Sequence, residues 1–275
     1  MNKKTIKRLL LALASVALLV TLTGCGTSEV KASSTGVWER IVWFFASAIK
    51  FLSVGQNIGI GIILFTLVIR LILLPLMHFQ TKSMRKTQEL QPEIKKLQLK
   101  YPGKDTESRR LLNEETQKLY ADNNVNPYIG CLPLLVQMPV LMALYQAISR
   151  VPAIRSGHFL WLNLASPDPY WILPILAAVF TFASSWLSMK ASPEQNGMTK
   201  SMTYIMPIMI FFMAWQIASG ISLYWVVSNA FQVGQTLLIN NPFKLEKERK
   251  AKEEAIRNAE KAKKKALKKA TKKRK

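Results

Sequence analysis

Arg70 interrupts an apolar run that extends over residues 58–77, and its position calls for a chemical reason. A cation near the middle of a bilayer costs roughly 3 kcal/mol on insertion scales, and such residues usually face a wet cavity or the bundle interior. No aspartate or glutamate falls within any of the long apolar runs, so a proton relay of intramembrane carboxylates is excluded. Two accounts of Arg70 compete. Seven residues, about 10 Å of helix, separate it from Met77, within reach of a snorkelling side chain. Against snorkelling, Lys82 and Arg85 already anchor that end, which favours a functional cation in a polar cavity.

Other apolar runs carry polar residues at helical spacing. Thr181, Ser184, Ser185 and Ser188 fall at i, i+3, i+4 and i+7, one face of a helix. Ser222, Trp225, Asn229, Gln232 and Thr236 make a similar stripe, and Gln137 and Tyr145 stand in a further run. Such residues also serve simply to hydrogen-bond one helix to the next. A single cation beside several neutral polar stripes favours a shared cavity. No phosphate-binding loop and no metal-ligand set occurs, and His78 and His158 stand alone. The expectation is a protein without cofactor, metal or catalytic group.

Cys25 is the other chemically distinctive residue. Lys3, Lys4, Lys7 and Arg8 form a positive n-region, residues 9–20 form a short apolar h-region, and Leu22-Thr23-Gly24-Cys25 resembles a lipoprotein box. The expected outcome is cleavage before Cys25 and lipidation of its thiol. Two acyl chains on that thioether suffice for stable anchoring. The competing account is an uncleaved signal anchor. Cys131, in an apolar run, has no partner cysteine once Cys25 is modified.

These residues must be positioned by membrane helices. The chain has 275 residues with a formal net charge of +22, yet 49% of them are hydrophobic, and the two properties are segregated along it. That pattern predicts an all-α polytopic membrane protein, not a nucleic-acid-binding globule. The expected division is a signal peptide (1–24), an external anchored segment with an interfacial helix over 38–52 (25–57), and a first span (58–79) ended by Pro75. A cytoplasmic helical hairpin (80–125), a second span (126–149), an external loop (150–170), a third span (171–189) and a cytoplasmic loop (190–202) follow. The uncharged run 204–239 is too long for one span, since a single helix would reach about 54 Å across a core of about 30 Å. Ser219-Gly220 near its middle divides it into a fourth span (203–219) and a fifth (221–240), before a basic tail (241–275). Lys and Arg concentrate in the hairpin, the 190–202 loop and the tail, so the positive-inside rule puts these in the cytoplasm and the N-terminus outside.

In the hairpin Leu90, Ile94, Leu97 and Tyr101 recur at helical spacing, Pro102-Gly103 breaks the pattern, and Leu111, Leu112, Thr116 and Leu119 resume it. Its weak apolar seam predicts mobility. The tail cannot build a core. Lys263, Lys264, Lys265, Lys268, Lys269, Lys272, Lys273, Arg274 and Lys275 make its end almost pure positive charge. An anionic partner fits, either ribosomal RNA through its phosphates or acidic lipid headgroups. A merely solubilising tail is the alternative.

Three motifs carry a resemblance. Leu67-Val-Ile-Arg-Leu-Ile-Leu-Leu-Pro75, Pro133-Leu-Leu-Val-Gln-Met-Pro139 and Gly220-Ile-Ser-Leu-Tyr-Trp-Val-Val-Ser-Asn229, with the charged hairpin between the first two, resemble the YidC family of membrane protein insertases, related to the Oxa and Alb proteins of organelles. The lipobox and the lack of a large external domain resemble its Gram-positive branch, and the basic tail a subtype implicated in ribosome contact. The resemblance implies five helices enclosing a hydrophilic groove, open to cytoplasm and lipid and closed to the outside. It makes Arg70 the groove arginine and Tyr224-Trp225 the aromatic contact to substrate, with Trp225 favoured. Gln137, Thr181, Ser184, Ser185, Ser188, Asn229 and Gln232 are the further groove candidates. Nascent membrane proteins are the implied substrates, and the Sec translocon and ribosome the implied partners. Two rival functions fit the same residues. One is a small transporter or channel with Arg70 as an anion site, and the other is a ribosome-tethering lipoprotein with a passive core.

Overall fold

Long runs of Leu, Ile, Ala and Met with no period-two alternation leave the backbone one way to satisfy its own hydrogen bonds in lipid, the α-helix. The computed structural model describes residues 28–103, 105–191, 197–239 and 241–273. The expected signal segment and Cys25 lie outside the described residues, as do Arg274 and Lys275. The described helices are α1 Val37–Phe51, α2 Ile58–Glu89, α3 Gln91–Lys100, α4 Thr106–Asp122, α5 Leu132–Arg150, α6 Pro152–Arg155, α7 Ile172–Ala191, α8 Gly197–Gln216, α9 Ser219–Ile239 and α10 Pro242–Lys273. A two-residue antiparallel ladder, β1 His158–Phe159 with β2 Leu162–Asn163, folds the connection between α6 and α7. The protein is an all-α polytopic membrane protein.

Among the described residues three segments are long and apolar enough to cross a membrane by length and composition: Ile58–Glu89, Pro127–Arg150 and Ile172–Ala191. Helices α8 and α9, of 20 and 21 residues, are separated at Ile217 and Ala218, so the long uncharged run is two helices. Polar residues such as Ser222, Asn229, Gln232 and Gln235 dilute the hydropathy of α9.

Pro75 does not end the first long helix; it lies inside α2, which continues to Glu89. A proline removes one backbone donor, and membrane helices tolerate that loss where local adjustment or neighbouring groups satisfy the freed carbonyl. The apolar run and the helix therefore end at different places. Helices α3 and α4 follow it.

Compactness divides the chain into two units, Met1–Thr81 with Tyr128–Thr181 and Ile205–Phe231, and Lys82–Pro127 with Phe182–Tyr204 and Gln232–Lys275. In the first, Ile49, Ile62, Leu144, Ile148, Ile154, Leu162 and Leu164 are fully buried. Trp38, Val42, Ala46 and Ile49 line the buried face of α1, which packs on α5. The start of α9 has its amides capped by main chain: Ser219 N donates to Ser166 O at 2.7 Å and Gly220 N to Leu164 O at 3.0 Å. A Cβ at Gly220 would stand 2.9 Å from Ile148 and 3.1 Å from the Leu164 carbonyl, so only glycine fits without displacement.

In the second unit Gly103, with φ +68°, turns α3 into α4, and Asp105 caps α4 by accepting from Ser108 N at 2.6 Å. The first turns of α10 meet the end of α7. Lys190 Nζ lies 5.0 Å from the Trp186 ring, 4.5 Å from the Phe243 ring and 3.7 Å from a Glu246 carboxylate oxygen. The two rings are themselves 6.1 Å apart.

Candidate functional site

Arg70 sits one turn beyond Thr66, which is fully buried and whose hydroxyl donates back to Ile62 O at 2.6 Å. Packing gives out there. Leu71 and Ile72 are 58% and 68% exposed, an apolar surface for lipid, while Arg70 itself is half-buried. A helical side chain normally leans back toward the N-terminus. The Arg70 side chain instead runs forward, and its Nη1 comes within 3.5 Å of Met77 Sδ. That direction agrees with snorkelling and with a cavity open at that end.

Its neighbours bear more on the choice. Tyr224, only 2% exposed, is close enough for electrostatic interaction with Arg70. Gln137 Nε2 donates to the Tyr224 hydroxyl at 2.9 Å. The first unit therefore gathers a cation, a phenol and an amide from α2, α9 and α5 within otherwise apolar helices. Ser228, one turn past Tyr224, is buried, and its hydroxyl has no hydrogen-bond partner among the described residues. Such a group is costly in a dry core, by about 1–3 kcal/mol, and is satisfied wherever water reaches it.

The remaining candidates separate by where their hydrogens go. Asn229, half-buried, donates to Trp225 O at 2.9 Å, and Trp225 is itself half-buried. Ser222 donates across to Ala214 O in α8 at 3.1 Å, so it joins two helices. Thr181 is buried in the first unit. Ser184, Ser185, Ser188 and Gln232 belong to the second unit and are half-buried. Ser188 donates to Ser184 O at 2.9 Å and Thr236 to Gln232 O at 2.8 Å, each back along its own helix. These bonds do not link helices, and they leave the side-chain oxygens with acceptor capacity. In the tail, Lys263, Lys264 and Lys265 are exposed on α10, and Lys268, Lys269, Lys272 and Lys273 continue that helix.

Two clusters escape sequence reasoning. Arg150 reads there as a loop charge; it is the last residue of α5 and only 6% exposed. Its Nε donates to Ser28 O at 2.8 Å, its Nη1 to Gln146 Oε1, and Glu39 lies 3.8 Å away. Trp38 Nε1 shares the same Gln146 oxygen at 3.1 Å, and Val30 N donates to Arg150 O at 3.0 Å. Asp168 is likewise buried and accepts from Trp161 Nε1, Tyr170 N and Leu173 N, capping α7. Its signal was an acidic residue just before an apolar run, an N-terminal cap pattern. Among the described residues no group of three His, Cys, Asp or Glu could hold a metal ion.

Comparison with known proteins shows the family of the chain. Residues 50–248 match the family described as 60Kd inner membrane protein. The chain is 68% identical over 257 residues to the membrane protein insertase YidC of Enterococcus faecalis, covering 93% of this chain and 92% of that protein. It is 63% identical to the membrane protein insertase YidC 1 of Lactococcus lactis, covering 88% and 90%. A crystal structure of an active YidC insertase with its first transmembrane domain resolved matches with a TM-score of 0.56 at 34% identity, covering 74% of this chain and 46% of that one. The chain belongs to the 60Kd inner membrane protein family, the family of the YidC membrane protein insertases.

Proposed function

We propose that this chain inserts nascent integral membrane proteins and helps them fold, as a chaperone and without an enzymatic step, alone or beside the Sec translocon. The observation that carries this reading is the cluster of Arg70, Gln137 and Tyr224 at the level where the packed core of the first unit gives way to exposed apolar surface. Tight packing around Gly220 and the 150–170 connection supports a groove closed at that end. The half-buried Trp225 and Asn229 support one that is polar at the other. A hydrophilic external segment of a substrate would be drawn toward Arg70 and the neutral acceptors, while its apolar helix partitions into lipid along the outer faces. Hydrophobic partition and the membrane potential supply the free energy, so no nucleotide is needed.

The same reading takes Cys25 as a lipidated N-terminus outside the cell and the basic tail as a cytoplasmic contact for ribosomal RNA phosphates. The charge asymmetry of the connections and the exposed lysines of α10 support it.

Proteoliposomes containing only this chain and a small substrate with an acidic external segment test the mechanism. Arg70→Ala should lower insertion at least about fivefold, the loss of one attraction in a partly solvated site, while Arg70→Lys retains most of it. Equal insertion by wild type and Arg70→Ala for every such substrate would overturn the electrostatic role.

A further inference from the structure

A second polar concavity lies wholly within the second unit. Arg85 near the end of α2, Ala191 at the end of α7, and Leu245 and Arg249 on α10 enclose a cleft of ≈ 250 Å³. Arg85 and Arg249 are half-buried, whereas Glu89, Glu248 and Lys252 stand exposed at the rim. Two guanidinium groups therefore lie deeper, and two carboxylates with one ammonium stand at the mouth. Ala191 and Leu245 adjoin the Trp186, Lys190 and Phe243 cluster, an aromatic and cationic grouping of the kind found at the level of lipid headgroups. Basic pockets between helices at that level take anionic headgroups, and two guanidinium groups suit a phosphate better than two ammonium groups would.

We propose that this cleft binds the headgroup of an anionic phospholipid, with the phosphodiester between Arg85 and Arg249 and a hydroxyl-bearing terminus directed at Glu89 and Glu248. The carboxylates accept hydrogen bonds from a polyol and repel a headgroup that carries its own carboxylate. With three cations against two carboxylates in the lining, the ligand class is an anionic phospholipid with an uncharged polyol terminus, of the phosphatidylglycerol type. The reading deepens the anionic-partner role of the tail but uses its base, not the lysines at its end. It rests on that base lying at the membrane surface.

Native mass spectrometry of the purified full chain, in detergent doped with phosphatidylglycerol, phosphatidylserine or phosphatidylcholine, tests it. Wild type should retain phosphatidylglycerol in preference to both others. Replacing both arginines (Arg85→Gln with Arg249→Gln) should weaken that retention roughly thirtyfold, the effect of two charges at a membrane surface. Replacing the exposed pair Lys82→Gln with Lys247→Gln removes equal charge outside the cleft and should leave retention unchanged. Truncation after Ala262 should abolish ribosome co-sedimentation and keep the lipid, which separates this site from the tail reading. Equal loss in both double variants, equal retention of phosphatidylserine, or loss of lipid on truncation would each overturn the proposal. So would a double arginine variant that keeps the lipid but loses ribosome binding, which would make the cleft an RNA-phosphate site.

Discussion

Gln137 and Tyr224 hydrogen-bond beside Arg70, and the worth of that bond is measurable. A double-mutant cycle of Gln137→Leu and Tyr224→Phe should give a coupling of about 0.6–1 kcal/mol in detergent unfolding, the usual scale for polar pairs in membrane helices. Coupling near zero would show that the two side chains do not constrain each other. Arg150 should matter more for stability. Arg150→Ala removes the donor that ties Ser28 to α5 and leaves Glu39 without its ion pair. A loss of about 2–4 kcal/mol follows, read as a lower unfolding midpoint with insertion of acidic substrates retained in the folded fraction. Arg70 was legible in the sequence because one charge in an apolar run is visible without knowing the fold. Arg150 was not, because its partners Ser28 and Glu39 are more than a hundred residues away and it sits at the edge of its run. Asp168 was legible in principle, since its cap pattern is local.

Length and turn residues identified most helices. The break before Ser219 follows from a run too long to cross once, and the α3–α4 turn from Pro102-Gly103. The end of α2 was hidden because proline in lipid need not stop a helix, so apolarity and helicity ended separately. The α3–α4 hairpin depends on local devices, with Leu90 and Ile94 its buried apolar side chains. Asp105→Ala should therefore cost α4 about 1 kcal/mol, read as faster amide exchange at Ser108 and its neighbours, with insertion activity scarcely changed. Docking of α10 on α7 has a pH dependence. A hydrogen bond from Lys250 first, then the nearby charges of Lys250, Lys190 and Arg249, hold the Glu246 carboxyl below the ordinary carboxylate range. A depressed carboxylate contributes stability that is fully present above its free value, about 4.3, and is lost as pH falls through the lower folded value. Most of that stability lies within α10, in the Lys250 pair, so spin labels at Ala191 and Lys247 should keep one separation from pH 7 to about 5 and broaden only slightly as pH falls through the folded value.

At the scale of the whole molecule, the fold class was the most legible property, because segregation of charge from apolar content is independent of packing. The grouping of Arg70 with Gln137 and Tyr224 was less so, since it depends on how three helices meet. Ribosome co-sedimentation should weaken steeply between 50 and 200 mM salt, by about tenfold for each few phosphates contacted, if α10 binds rRNA through charge alone. Helix α10 has a further consequence that follows from its continuity. It is a single helix of 32 residues held at its base by Trp186, Lys190 and Glu246. At about 1.5 Å per residue, Lys263 stands about 30 Å from Phe243 along a rod, whereas a flexible tether would let that spacing wander. Affinity for a partner and standoff from the membrane are then separable quantities. Replacing 255–259 by glycine and serine should leave salt-dependent binding nearly intact while lowering the efficiency of insertion from a bound ribosome, because the lost property is the spacing and not the charge.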